Sequence, residues 1–116
     1  MAYKVIKIGE KEVPMMVMSS LAIYHKRVFG HDLNKVTFEK EYTQGDRITL
    51  YCEIAFIAAK FAELKDRKKM LKLNEDAYLD WLEQFEYADL VDALDEVQNL
   101  YLGQLASSSQ EKKEEK

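Results

Sequence analysis

The sequence predicts a small single domain, mainly α with an N-terminal β-hairpin (α+β), built from about four helices. Three observations carry that expectation. "YKVIKIGEKEVPMMVM" alternates apolar and polar residues at period two on both sides of "GEK", as two strands joined by a tight turn do. Leu50, Ile54, Ile57, Phe61 and Leu64 recur at spacings of four, three, four and three, the repeat of a helix. With 116 residues, 47% hydrophobic and 33% charged, the chain has the size and composition of one folded domain, about 100–200 residues being usual.

The hairpin is expected over about residues 3–18, with Ile6 and Ile8 on one face and Val5, Lys7 and Gly9 on the other. Gly9 supplies the flexible turn position, and Pro14, lacking an N–H donor, marks an edge strand. A first helix follows over about 19–29. Ser19 or Ser20 is its cap, Gly30 its left-handed end, and Leu21, Tyr24 and Val28 its apolar spacing, with Phe29 alongside. The stretch "LNKVTFEKEYTQG", residues 33–45, fits extended structure and irregular loop equally.

Residues 47–65 form the expected spine of the core. Ala55, Ala58, Ala59 and Ala62 beside the Leu50–Leu64 stripe widen its apolar arc and let other backbones approach. Asn74 is the expected cap of a helix over about 75–86, because Glu75 and Asp76 then meet the positive end of its dipole. Tyr78, Trp81, Leu82 and Phe85 continue it. A last helix over about 88–102 carries Leu90, Leu94, Val97 and Tyr101, and Gly103 weakens its end. The globular unit thus covers 1–106. The segment "SSSQEKKEEK", 107–116, has no apolar residue and is expected to be a disordered or transiently helical tail.

Composition narrows the function. A net charge of −4 and a pI near 5.2 argue against nucleic acid as a main partner. The one basic cluster, six Lys and Arg between Lys60 and Lys72 against Glu63 and Asp66, reads better as a solvated connector than as a phosphate contact. The single Cys52 allows no internal disulfide and fits a reducing compartment. With no apolar leader and no membrane-spanning run, a cytoplasmic location is expected.

No metal, cofactor or catalytic site is expected. His25 and His31 are six residues apart with Cys52 distant, which is not zinc spacing, and both histidines read as surface or partly packed residues. The glycines at 9, 30, 45 and 103 are isolated and form no phosphate-cradling loop. Cys52 lies in the apolar "TLYCEIAF", the setting of a small core residue and not of a reactive thiol.

The stretch "NEDAYLDWLEQFEYADLVDALDEVQN", 74–99, holds nine acidic residues and no Lys or Arg. On helices, Glu75, Asp76, Asp80 and Glu83 fall mostly away from Tyr78, Leu82 and Phe85, so the carboxylates read chiefly as a solvated face, with no pair singled out for acid–base chemistry. Trp81, Phe85, Tyr87 and Tyr101 exceed what a two-helix seam needs. They are either core packing or, in part, a partner-binding surface.

The order of pieces, "KIGEKEV", "LAIYHKRVFGHDL", "EIAFIAAKFA", "WLEQFEYADL" and a polar tail, resembles the tail assembly chaperone family of long-tailed phages and prophages of Gram-positive bacteria, over about residues 3–103. "KVTFEKEYTQGDR" and "KDRKKMLK" depart from that pattern. The resemblance implies a non-enzymatic protein that binds the tape measure protein and keeps it soluble while tail tube subunits assemble around it, with homo-oligomers and tail tube protein as further contacts. It also implies a longer frameshifted form, for which the polar tail and the Lys112 and Lys113 codons are a suitable joint. The rival readings are a small regulatory or nucleic-acid-binding module using the basic connector, an enzyme pairing Cys52 with a histidine, and a minor structural virion protein.

Overall fold

The computed structural model describes residues 2–30, 33 and 43–114, with side chains described as far as 103. Strands β1 (Ala2–Ile8) and β2 (Lys11–Val17) pair antiparallel, Ile8 opposite Lys11, Ile6 opposite Val13 and Ala2 opposite Val17. Gly9 takes φ +64° while Glu10 stays at negative φ, the combination a type II′ two-residue hairpin loop requires. A side chain at Gly9 would also meet Asp89, its Cβ falling 2.6 Å from Oδ2, so the turn lies directly on the last helix. Ile6, Ile8, Met15 and Val17 face the core, as the alternation predicts.

Helix α1 (Leu21–Phe29) starts after Ser20, whose side chain makes no capping bond, so that part of the expectation fails; backbone bonds alone close its first turn. Gly30 ends it at φ +81°, its N–H donating to the Lys26 carbonyl at 2.8 Å. Helix α2 (Gln44–Leu64) begins three residues before the predicted start at 47 because Thr43 and Asp46 form a capping box. The Thr43 hydroxyl accepts from the Asp46 N–H at 3.1 Å, and the Asp46 carboxylate accepts from the Thr43 N–H at 3.0 Å. The Thr43 backbone N–H first, and the Thr43 side chain second, hold the Asp46 carboxyl below its ordinary value.

The mainly helical domain with an N-terminal hairpin is as predicted, and the described residues hold five helices. Beyond the expected elements is the short α3 (Arg67–Met70), inside the basic stretch read from sequence as a solvated connector. It is too short to leave a periodic signal and exists because the Asp66 side chain accepts from the Lys69 N–H and Met70 is buried. Asn74 caps α4 (Glu75–Leu82) as predicted, its Oδ1 accepting from the Ala77 N–H at 2.9 Å. This helix stops short of the predicted 86, because Gln84 and Phe85 turn back to the Trp81 and Leu82 carbonyls, three residues behind each.

The last helix, α5 (Tyr87–Glu114), runs well past the predicted end at 102 and through most of the segment expected to be a disordered tail. Gln, Lys and Glu are good helix formers, and extending an existing helix avoids the cost of a new nucleus. His31 and most of the 33–45 stretch lie outside the described residues; Leu33 is buried.

Helix α2 is the axis of the molecule. Every residue from Leu50 to Ala59 is buried, as its wide apolar arc predicts. Strand β2 and α1 pack on it, and α5 spans α2 and β1. Arg47 fixes that last contact, donating to Asp95 Oδ1 at 2.8 Å and to Gln98 Oε1 at 2.6 and 3.0 Å. Edge-on ring contacts run from Phe29 through Tyr78 and Phe56 to Trp81 and Phe85, joining α1, α2 and α4.

Phe56→Ala is expected to lower the unfolding free energy by about 3–5 kcal/mol, a cavity at the centre of the core. Tyr3→Ala, on the solvent side of the hairpin, is expected to change it by no more than about 0.5 kcal/mol. Urea titrations followed by circular dichroism measure both.

Candidate functional site

The four aromatic residues singled out as a partner surface do not share one place. Trp81 is 5% exposed and Tyr101 4%, so both are core residues. Trp81 lies edge-on to Phe56 at 5.9 Å, and Tyr101 packs similarly against Tyr51 at 6.3 Å. Helical spacing put them on the apolar side of α4 and α5, and the enclosed α2 needs that side covered. Tyr87, 68% exposed, points into solvent. It stands about 21 Å along α5 from Tyr101, at about 1.5 Å per residue.

Trp81 and Phe85 do come together, 5.0 Å between ring centroids, at the end of a groove of about 590 Å³ between the hairpin and α2. Val13 and Pro14 form one wall, and Ala59 and Ala62, small enough to leave space, form the floor. Lys11 partly covers the aromatic end: its Nζ lies 5.3 Å from the Phe85 centroid and donates to the Gln84 carbonyl at 3.2 Å. Phe85 is half-buried, with an ammonium group over its ring.

The nine acids of 74–99 lie as predicted. Asp89 is partly buried under the hairpin turn, and the other eight are exposed. Two of them hold cations, Asp95 with Arg47 and Glu96 with Lys4 at 3.5 Å. Exposed carboxylates of this kind keep a surface dispersed and repel acidic partners.

The sequence reading missed the buried polar centre. His25 is fully enclosed, and its Nε2 lies 2.9 Å from Glu53 Oε1, also buried, so α1 and α2 are joined by a charged or charge-assisted bond inside the core. The expectation that His25 is a surface or partly packed residue is corrected accordingly. The signal was present in sequence: Glu53 is the one carboxylate within the Leu50–Ala59 run, and an acid there requires a partner.

Cys52 stands beside Glu53 and is buried, as predicted. Burial first, then the Glu53 charge, pushes its thiol from an ordinary 9.0 up to about 11. Burial foremost, then the neighbouring Cys52 and Glu53, push the Tyr78 hydroxyl well above its usual range. A thiol held protonated at neutral pH is poorly suited to nucleophilic attack. Among the described residues no group of three or more His, Cys, Asp and Glu is placed to hold a metal ion, and no helix is long and apolar enough to cross a membrane.

Side chains that sequence reasoning did not gather are Met18, Ile23 and Leu71, exposed apolar residues that line a second groove. Each falls off its helix stripe or in a connector, where no periodicity marks it. Compared with protein-family models, with curated proteins and with solved structures, the chain matches none.

Glu53→Leu is expected to destabilise the fold by about 1–3 kcal/mol, because it strands a buried polar partner. The double variant with His25→Leu should cost less than the sum of the singles, which a double-mutant cycle in urea measures. Cys52 should react slowly with a thiol reagent at pH 8 in the native state and fast in urea. Its raised folded pKa contributes stability that is complete below 9.0 and is lost as pH rises toward about 11.

Proposed function

We propose that the chain is a non-enzymatic phage tail assembly chaperone that binds the tape measure protein and keeps it soluble during tail assembly. The observation that carries this reading is the combination of a closed core with apolar side chains left outside it. Met18, Ile23 and Leu71 are exposed together along one groove, and Tyr87 is exposed elsewhere, on a domain that has already enclosed a continuous set of core residues. Contiguous exposed apolar surface marks interaction sites. Elsewhere on the surface, the exposed carboxylates of α4 and α5 supply the charge that would keep a complex with an aggregation-prone client dispersed.

The likeness of "LAIYHKRVFGHDL" and "WLEQFEYADL" to the family's helix ends supports the same reading. Of the four aromatic candidates, Phe85 and Tyr87 are the ones accessible to a client; Trp81 and Tyr101 support the frame. Tail tube protein, a second copy of the chain and a frameshifted longer form belong to this proposal as further contacts and products.

Co-expression with the long tape-measure-like product of the same genome tests it. The client is expected in the soluble fraction and to co-purify with this protein, and Tyr87→Ala with Phe85→Ala should reduce the amount recovered. A client that stays insoluble, with the frameshifted form also supplied, would contradict the reading. So would stoichiometric recovery of the protein in purified virions, which would favour a structural virion role.

A further inference from the structure

The groove that holds Met18, Ile23 and Leu71 lies on the far side of α2 from the Trp81–Phe85 groove. At about 100° per residue, Phe61 falls about 160° from Ala59 and Glu63, which line the other one. Its volume is about 530 Å³, bounded by the end of β2, α1 and the corner between α2 and α3. Buried Tyr24, Phe61 and Met70 form the floor. The walls are open: Ile23 is 64% exposed, Leu71 44% and Met18 36%. Single exposed apolar residues are ordinary, whereas three lining one concavity are a surface awaiting cover.

The rim is cationic. Arg27, Lys65 and Arg67 border the groove, and exposed Lys26, Lys68 and Lys69 stand next to them in the chain. Among the described residues that line the rim, the one carboxylate is Asp66, engaged in capping α3 through the Lys69 N–H at 3.2 Å. Lys65 itself sits at φ +49°, a left-handed conformation that costs a non-glycine residue about 1 kcal/mol. In a chain of net charge −4 this is a local reversal of sign.

We infer that this groove docks an amphipathic helix of a partner protein, apolar on one face and flanked there by Asp and Glu. Leu- or Met-type side chains fill the floor and cover Ile23, while the flanking carboxylates meet Arg27, Lys65 and Arg67. A second copy of this chain is the poorer occupant. Its acidic helix α5 turns Leu90, Leu94 and Val97 into its own core and has few apolar side chains to offer. Met16, Met18 and Met70 make the lining adaptable, so the groove selects pattern and charge more than sequence. Only the source of the helix, a client held in solution, rests on the chaperone reading.

The test uses a fluorescent synthetic peptide of about 18 residues, about five helical turns, with Leu and Met on one face and Glu on its flanks, and a counterpart with Lys for Glu. Fluorescence anisotropy against the full chain is expected to give binding at least about tenfold tighter for the Glu peptide, from charge complementarity. Arg27→Glu with Arg67→Glu should invert that preference. Ile23→Asp should weaken binding by about tenfold or more through loss of the apolar contact, with an unchanged melting curve because the position is exposed. Leu79→Asp, an exposed residue on α4, should leave binding as it was.

Absence of binding, equal binding of the two peptides, or an Ile23→Asp variant that binds normally would overturn the inference. So would self-association through Ile23 with no peptide bound. The two readings fail separately. If the client is solubilised by wild-type and by Ile23→Asp alike, the groove is wrong and the chaperone role stands. If the Glu peptide binds as described while the client stays insoluble, the chaperone role falls and the groove stands.

Discussion

The rest of the structure depends on the enclosure of α2. Ten consecutive residues, Leu50 to Ala59, are buried, so the helix has no wet side along its middle and must be covered from every direction. A domain of this size has few elements with which to do that. The hairpin covers one side, α1 another, and α4 and α5 close the remainder. Ala55 and Ala58 make the enclosure possible, because small side chains let neighbouring backbones come close without leaving voids. An enclosed helix cannot carry a carboxylate without a partner, and Glu53 therefore places a condition on whatever packs over it.

That condition fixes α1. Its nine residues must direct His25 inward to Glu53 while Leu21 and Tyr24 join the core. Residues two apart on a helix lie on different sides, so Ile23, between them in sequence, is turned outward. At the other end of α2, the left-handed Lys65 reverses the chain and Asp66 starts α3, which sinks Met70 and leaves Leu71 outside. The apolar groove with its basic rim is thus a by-product of how the core is closed. Solvent exposure at Ile23 and enclosure at His25 are two consequences of one helix orientation.

Much of this was legible from residues. The hairpin, its turn at Gly9, the α2 spine, the Asn74 cap and the solvated acidic face follow from alternation, helical spacing and capping chemistry, all of which are local. The capping box was equally readable, since Thr43 precedes Asp46 by three positions, but the expected helix began later because its apolar stripe begins at Leu50. What local pattern could not give was which aromatic residues are enclosed. Trp81 and Tyr101 vanish into the core only because α2 demands cover on that side, and a helix stripe looks the same whether it meets another helix or a partner. The continuation of α5 past Gly103 and the four-residue α3 were hidden for a related reason. Neither is driven by an apolar stripe; one rests on propagation of an existing helix and the other on a single cap and one buried methionine.

Closing the core around α2 leaves the Met18–Ile23–Leu71 groove exposed, and the central proposal is that this groove meets a helical client. Hydrogen exchange of the protein alone and in complex with the tape-measure-like client tests it most directly, because the whole backbone is read at once. Slower exchange in the complex at residues 18–27 and 65–71, with any further slowing limited to residues 85–87 and with α2 already protected in both states, is the result expected. Protection that falls on 75–99 and spares the groove would contradict it.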